Sequence, residues 1–261
     1  MNILDKIVQQ KKTEVAAAKQ QKPIQELESS PYFTRTPFSL REFLLAENRT
    51  GIIAEFKRQS PSKGLINGTA TVAEVTQGYN EAGASAISVL TDTCFFGGHA
   101  RDLLEARALN AIPLLRKDFI LDEYQILEAK AWGADIVLLI AAILTPKQIK
   151  DYGTLAKRLG LNVLLEVHDA QELQRSLCEP LDAIGVNNRN LGNFMVDIQT
   201  SFKLAEQIPA GFLKISESAI DNPQVIRELR TAGYQGFLIG ENFMKTAHPA
   251  QALKTFVKQL G

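Results

Sequence analysis

The sequence predicts a (β/α)8 barrel, the TIM-barrel fold of the α/β class, preceded by a helical extension. Three observations point to this fold. Eight short runs rich in Ile, Val and Leu recur from residue 52 onward, helix-start motifs lie between them, and a glycine precedes four of the runs. Apolar strands that alternate with helices are typical of a parallel sheet covered by helices. Eight such units match the size and strand count of a closed barrel.

The predicted strands are apolar on both faces, as expected of strands between a core and a layer of helices. In chain order they are IIAEFK (52–57), AISVLT (86–91), PLLRKD (113–118), DIVLLI (135–140), NVLLEV (162–167), AIGVNN (183–188), LKISES (213–218) and GFLIGE (236–241). A doubly wound open sheet is the alternative. Its glycine-rich dinucleotide-binding motif is missing after the first strand, where the sequence reads SPSKG.

Capping motifs mark the helices between these strands. Thr71 begins the capping box TVAE, and Thr145 begins TPKQ with Pro146 at the first helical position. Helix ends are expected at glycines in the left-handed conformation. These glycines are Gly83, Gly133, Gly160 and Gly233.

Residues 1–48 lie outside the predicted barrel. Residues 3–20 have the pattern of an amphipathic helix, and Ser39 begins another capping box. The segment is too short to form its own core. We therefore expect residues 1–261 to form a single domain in which the N-terminal helices pack on the barrel and cover its mouth.

Composition limits the classes of partner. With 29 Lys and Arg against 29 Asp and Glu, the formal net charge is zero, and the chain lacks the basic surface typical of nucleic-acid or membrane binding. The two cysteines and three histidines have no disulfide or metal-site spacing. The start lacks a signal-peptide core, and the longest apolar run, residues 136–144, is too short to cross a bilayer. We expect a cytoplasmic protein with a small-molecule partner, no nucleic acid and no membrane.

Polar side chains lie at the predicted carboxyl ends of five strands, where barrel enzymes build their active sites. Side chains two positions apart in a strand share a face, so an acid and a base lie side by side at the end of the first strand. One such residue is more often a solvated strand end or a structural ion pair, but five strands sharing the pattern predict a site. The residues are Glu55, Lys57, Lys117, Glu166, Asn187, Glu217 and Ser218.

The turns after the seventh and eighth strands are candidate phosphate sites, because many barrels bind phosphate there through backbone N–H groups. These turns contain Ala219, Gly240 and Glu241. Lys57 and Ser60, across the barrel, add a cation and a hydroxyl.

Six segments together closely resemble the indole-3-glycerol phosphate synthase family of tryptophan biosynthesis. They are IIAEFKRQSPSKG, PLLRKDFI, LLEVHD, IGVNNRNL, ISES and FLIGENFM, and the resemblance covers nearly the whole chain. It implies a carboxy-lyase, without metal or cofactor, that converts 1-(2-carboxyphenylamino)-1-deoxyribulose 5-phosphate into indole-3-glycerol phosphate, carbon dioxide and water.

The resemblance also implies roles for the strand-end residues. Lys117 is the general acid, with Lys57 as the competing candidate, and Glu166 is the base of the dehydration step. Glu55 orients Lys57. Asn187, Glu217 and Ser218 supply hydrogen bonds to the substrate. The family's ring-binding positions correspond to Pro61, Phe96, Phe119, Leu138 and Leu191; from the residues alone, plain core packing explains them equally well.

Three further positions complete the interpretation. Arg189 is a candidate contact for a carboxylate, with a surface position as the alternative. His168 has no evident partner in the sequence, and we assign it no chemistry. Ala219 replaces the family's usual glycine; we expect its φ to be negative, so that its methyl group is accommodated.

Two other functions remain open at this stage. A phosphoribosylanthranilate isomerase-like barrel enzyme would need a Cys and Asp pair at the ends of the first and sixth strands, where this sequence has Glu, Lys and Asn. A non-catalytic barrel subunit would be expected to lose several of the strand-end charges. We expect a monomer or a weak homodimer.

Overall fold

The centre of the protein is a closed barrel of eight parallel strands. The structure is a computed structural model that describes residues 2–190 and 194–260. We label the barrel strands β1 to β8: Ile52–Phe56, Ala86–Leu90, Leu114–Lys117, Ile136–Ile140, Asn162–Val167, Ala183–Asn187, Leu213–Glu217 and Gly236–Ile239. Strands adjacent in sequence are adjacent in the barrel, and β8 pairs with β1 to close it. The predicted fold class is confirmed.

Helices connect the strands and flank the barrel. They are α1 Ile3–Gln21, α2 Ile24–Glu28, α3 Leu40–Leu45, α4 Val72–Glu81, α5 Thr93–Phe96, α6 Ala100–Leu109, α7 Glu123–Ala131, α8 Pro146–Arg158, α9 Ala170–Ser176, α10 Gln199–Ala205, α11 Pro223–Thr231, α12 Glu241–Met244 and α13 Pro249–Leu260. A 3₁₀ turn spans Ala141–Ile143, and the pairs Gln59–Ser60 and Gly64–Leu65 form a short antiparallel ladder after β1.

The capping motifs act as predicted. The side chains of Ser39, Thr71 and Thr145 each accept a hydrogen bond from the backbone N–H three residues later. The four predicted helix-ending glycines all have positive φ, between 76° and 91°.

The barrel interior is a separate apolar cluster from the layer between strands and helices. Leu115, Leu164 and Ile215 point into it, two residues before the strand-end residues Lys117, Glu166 and Glu217. Because strand side chains alternate, the inward direction of these apolar residues sends the polar ones to the mouth of the barrel.

The N-terminal extension lies against both ends of the barrel: α1 lies at the mouth, as expected, and α3 lies at the opposite end. Ile3, Leu4 and Ile7 of α1 line the cavity at the mouth. Leu40 and Leu44 of α3 belong to the inner apolar cluster, as Ile7 also does. Two hydrogen bonds place α3 at the opposite end, where the strands start. Leu40 N–H donates to Asn162 Oδ1 at the start of β5, and Phe38 N–H donates to Asp135 Oδ1 just before β4. An open barrel end exposes apolar side chains, and α3 buries them.

Candidate active site

A cavity of about 910 Å³, including the part open to solvent, lies at the carboxyl ends of the strands. Seven residues that the sequence predicts as catalytic belong to five strand ends, and the cavity brings all seven together: Glu55, Lys57, Lys117, Glu166, Asn187, Glu217 and Ser218. A second cavity adjoins it and shares Glu55, Lys57 and Ser218 with it.

Lys117 is the centre of the polar network. Its Nζ donates to Glu166 Oε2 at 2.6 Å and to Glu217 Oε2 at 3.3 Å. Glu166 Oε1 accepts a hydrogen bond from Asn187 Nδ2 at 3.0 Å. Asn187 Oδ1 in turn accepts from Ser218 Oγ at 2.9 Å. Residues from β3, β5, β6 and β7 thus hold one another at fixed positions.

Glu55 and Lys57 form a second pair across the mouth. Lys57 Nζ lies 2.8 Å from Glu55 Oε1, and Ser88 Oγ donates to Glu55 Oε2. A buried carboxylate is stable only with such partners. The geometry agrees with the expectation that Glu55 orients Lys57.

Glycines make room for two of the buried carboxylates. A Cβ at Gly240 would lie 2.5 Å from Glu55 Oε1, and a Cβ at Gly185 would lie 2.2 Å from Glu217 Oε1. Both distances are far below van der Waals contact, so any larger residue would displace a carboxylate. Gly240 therefore has a packing function in addition to the backbone approach predicted from the sequence.

The carboxylates differ in their tendency to hold a proton. Burial raises the pKa of Glu217, and the nearby charges of Glu166 and Glu55 raise it further, against the opposing effect of Lys117. Burial also acts to raise the pKa of Glu166, but Lys117 and His168 outweigh it and hold that pKa well below its usual range. Burial acts to lower the pKa of Lys117, yet the surrounding carboxylates raise it above the usual value. Lys117 is therefore fully protonated and Glu166 ionised at neutral pH.

Sequence reasoning missed His168, which has two acidic partners. Its Nε2 lies 3.3 Å from Glu166 Oε1, and its Nδ1 lies 3.1 Å from Glu172 Oε2. Burial acts to lower the pKa of His168, but the two carboxylates outweigh it and raise the pKa to about 10. The sequence held one usable signal: Asp169 is a candidate N-cap three residues before Glu172, which would place Glu172 in the first helical turn, close to His168.

The loop after β7 overturns one expectation. Ala219 has φ of 59° and Ser218 has φ of 65°, so the prediction of a negative φ at Ala219 is wrong. Two successive non-glycine residues in the left-handed region cost free energy that the surrounding structure must supply. Such strain concentrates at functional sites, and this loop lines the second cavity.

The second cavity contains most of the predicted phosphate-binding residues. Ala219, Gly240, Glu241 and Lys57 line it, together with Lys245, which the sequence did not suggest. Ser60 lines the first cavity instead.

Arg189 and Glu241 contact each other at the rim that the two cavities share. Arg189 Nη2 lies 3.4 Å from Glu241 Oε2, and Lys63 Nζ lies 3.4 Å from Glu241 Oε1. The carboxylate of Glu241 is thus paired with two cations, while its backbone N–H belongs to the start of α12.

Aromatic and apolar side chains form one wall of the first cavity. The rings of Phe96 and Phe119 lie 5.9 Å apart between centroids. Leu138 and Pro61 also line this cavity. Leu191, the fifth predicted ring-binding residue, lies outside the described residues. The wall has the flat apolar surface that an aromatic ligand needs.

Lys11 of α1 ties the aromatic wall to the N-terminal extension. Its Nζ lies 2.9 Å from Asp92 Oδ2 and 3.0 Å from Asp118 Oδ1. Asp92 caps α5 by accepting the N–H groups of Phe95 and Phe96, and Asp118 Oδ1 accepts the N–H of Phe119. A single buried ammonium group thus supports both rings of the wall.

Neither a metal site nor a membrane-spanning helix is found within residues 2–190 and 194–260. No group of three or more His, Cys, Asp or Glu side chains there is arranged to hold a metal ion. None of the helices in those ranges combines the length and apolar character required to cross a membrane.

Comparison with known proteins gives one consistent family. The family model described as indole-3-glycerol phosphate synthase matches residues 4–256. A curated protein of that name from Bacteroides thetaiotaomicron is 48% identical over 259 residues, covering 99% of both chains. One from Variovorax paradoxus is 44% identical over 264 residues, covering 98% of this chain and 99% of that one.

Solved structures of lower identity show the barrel fold alone. Thiamine phosphate pyrophosphorylase from Pyrococcus furiosus is 18% identical with a TM-score of 0.60, covering 85% of this chain and 99% of that one.

Proposed function

Because the chain belongs to the indole-3-glycerol phosphate synthase family, we propose how its own residues carry out that reaction. The enzyme is a carboxy-lyase of tryptophan biosynthesis that acts on a phosphorylated small molecule, 1-(2-carboxyphenylamino)-1-deoxyribulose 5-phosphate. The reaction closes the pyrrole ring, releases carbon dioxide and then eliminates water. The observation that carries the proposal is the contact of one partly buried lysine with two buried carboxylates in the first cavity.

Ring closure needs a proton on the substrate's ketone oxygen while an aromatic carbon attacks the ketone carbon. We assign this proton to Lys117, because its ammonium group lies in the first cavity beside the aromatic wall. Lys57, the competing candidate, lines both cavities and is paired with Glu55. It is better placed as the cation for the phosphate that must bind at one end of the same substrate.

Loss of the carboxylate restores the aromatic ring. The bond between the ring carbon and the carboxylate breaks, its electron pair stays with the ring, and neutral carbon dioxide leaves. The apolar wall of Phe96 and Phe119 favours this step, because it holds the ring in place and destabilises the charged carboxylate relative to the neutral product.

Dehydration needs a base and an acid on opposite sides of the new bond. Glu166 is ionised and removes a proton from the carbon next to nitrogen, while a lysine protonates the departing hydroxyl group. Asn187, Ser218 and Glu217 hold the substrate's hydroxyl groups and fix Glu166 and Lys117 in position. The ketone oxygen of the substrate receives two protons before it leaves as water. One proton is returned by the carbon next to nitrogen, so each turnover takes up one proton from solvent.

The phosphate group fits the second cavity. Lys57, Arg189 and Lys245 supply positive charge there, and the N–H groups of the loop after β7 and of the start of α12 supply hydrogen bonds. The side chain of Glu241 would repel a phosphate, but its pairing with Arg189 and Lys63 offsets that charge.

Several broader expectations stay predictions: a cytoplasmic location, a monomer or weak homodimer, and no nucleic-acid partner. We also propose that residues 1–48 and the barrel form one domain, since the extension supplies part of the cavity lining and closes the other end of the barrel.

The test is an activity assay with matched variants. The purified protein is incubated with the carboxyphenylamino substrate, and the fluorescence of the indole product is followed. Lys117→Ala is expected to lower kcat by at least about 10²-fold, the usual contribution of a positioned acid, whereas Lys57→Ala raises KM more than it lowers kcat. Near-normal kcat for Lys117→Ala with native circular dichroism would transfer the first proton to Lys57.

A further inference from the structure

His168 lies outside both cavities described above and contacts the site only through Glu166. Its side chain is 11% exposed and contacts two carboxylates, Glu166, which is 2% exposed, and Glu172, which is 16% exposed. Nε2 is buried, faces Glu166 Oε1 and is not aligned for a hydrogen bond. Without an aligned hydrogen bond, a charged ring at this distance still stabilises the ionised carboxylate.

The charges of the site favour such a group whenever Glu217 is ionised together with the other two carboxylates. Three buried carboxylates, Glu55, Glu166 and Glu217, are 3%, 2% and 1% exposed. The cations that contact them from other residues of the cavity are two, Lys57 and Lys117. Burying an unpaired charge is expensive, so a third positive charge stabilises the arrangement.

The positive charge on His168 matters most during the reaction, when Lys117 loses its own. The inference therefore rests on the proposed function. When Lys117 has given its proton to the ketone, the ammonium ion that contacts Glu166 and Glu217 becomes a neutral amine. A carboxylate that loses its counter-charge in a buried site binds a proton more tightly. Glu166 would then take up a proton from its surroundings before it has met the substrate carbon.

We propose that His168 is a positioning residue for the reaction: as an imidazolium ion it keeps Glu166 ionised while Lys117 is without its proton. Glu172, the outer carboxylate, keeps His168 charged. The proposal involves no transfer of a proton from the ring, so His168 has the same protonation state before and after turnover.

Local structure fixes the ring for this purpose. Asp169 caps α9 by accepting the N–H of Glu172 at 2.8 Å. Glu172 Oε2 then reaches back to accept from the backbone N–H of His168 at 2.9 Å and lies 3.1 Å from its Nδ1. The raised pKa of His168, about 10, agrees with a ring that stays charged at neutral pH.

Several charged and polar groups among the described residues surround Glu166. Lys117 contacts it from β3, Asn187 from β6 and His168 from the end of its own strand. The carboxylate of Glu217 on β7 shares Lys117 with it, and Glu55 on β1 adds negative charge to the same site. His168 itself faces Glu166 and Glu172. His168 is not among the residues that line the two cavities, so its substitution alters none of the lining side chains directly.

The experiment compares His168→Asn, His168→Gln and Glu172→Gln with the exposed control His248→Asn. The acid limb of the pH profile of kcat reports the base in the substrate complex. Loss of a neighbouring cation raises the pKa of a carboxylate by about one unit or more. His168→Asn is therefore expected to move the acid limb to higher pH by about one unit, while KM changes less than about twofold. His168→Gln should behave like the Asn variant, because it keeps a donor without the charge. Glu172→Gln should shift the limb in the same direction by less.

A pH-independent fall in kcat, or full rescue by His168→Gln, would overturn the proposal in favour of simple packing or hydrogen bonding. NMR titration of the histidine rings is independent of turnover: the His168 ring should stay charged at pH 8 in the unmodified protein and lose its charge at lower pH in Glu172→Gln. A neutral ring at pH 8 would also overturn it. Inactivity of the unmodified protein would instead refute the proposed function, so the two failures are distinguishable.

Discussion

Replacement of Ala219 by glycine tests the strained loop after β7. The residue has φ of 59°, in the left-handed region that L side chains rarely adopt. An L side chain in this region costs about 1–2 kcal/mol per residue. Glycine removes that cost, but it also gives the unfolded chain more freedom, which lowers stability by about 0.4–1 kcal/mol. The expected net result is a free energy of unfolding higher by about 0.5–1 kcal/mol.

Two measurements check this result. The melting temperature of Ala219→Gly should rise by about 1–4 °C for a chain of this size. KM should change little, because glycine adopts the same φ and leaves the backbone N–H groups of the loop in the same direction.

The matched control is Ala46→Gly. Ala46 ends α3 with φ of −66°, where alanine is unstrained. Glycine there should lower the free energy of unfolding by about 0.4–1 kcal/mol through chain entropy alone. A loss of stability in Ala219→Gly equal to that of Ala46→Gly would show that the loop carries no strain and would refute the reasoning.

Other predictions concern the groups around the cavity. Lys11→Met leaves Asp92 and Asp118 without their shared cation; we expect a loss of about 3–5 kcal/mol of stability and a higher KM, both partly restored in Lys11→Arg. The raised pKa of His168 stabilises the fold fully below about pH 6.5, the ordinary value, and this stabilisation is lost as pH rises to about 10. The difference in melting temperature between the unmodified protein and His168→Asn should therefore shrink across that range; a constant difference would contradict it. Finally, turnover should survive exhaustive chelation with EDTA, because the described residues offer no metal site; loss of turnover that a divalent ion restores would disprove this.

The sequence by itself determined the repeating unit. Apolar runs, capping residues such as Thr145 and glycines such as Gly133 act within a few residues of one another, so local rules predict where strands and helices begin and end. The alternation of side chains along a strand likewise placed Lys117 and Glu166 on the inner face, because that direction follows from the strand itself.

Tertiary structure decided which of these residues meet. The contact of Lys117 with Glu217 joins residues 100 positions apart, and no local pattern encodes its 3.3 Å distance. The same holds for the path of residues 1–48, which covers both ends of the barrel because α3 finds an apolar surface at the starts of the strands.

Two positions show most clearly what local sequence patterns do not predict. A positive φ at Ala219 is unfavourable for alanine in isolation, and only the fixed ends of its loop impose it. His168 has no partner that the sequence reveals, and its pKa is raised because the fold places a carboxylate, Glu166 or Glu172, near each ring nitrogen. Local preferences are set by each residue and its neighbours in the chain, whereas charge and strain depend on what the closed barrel brings together.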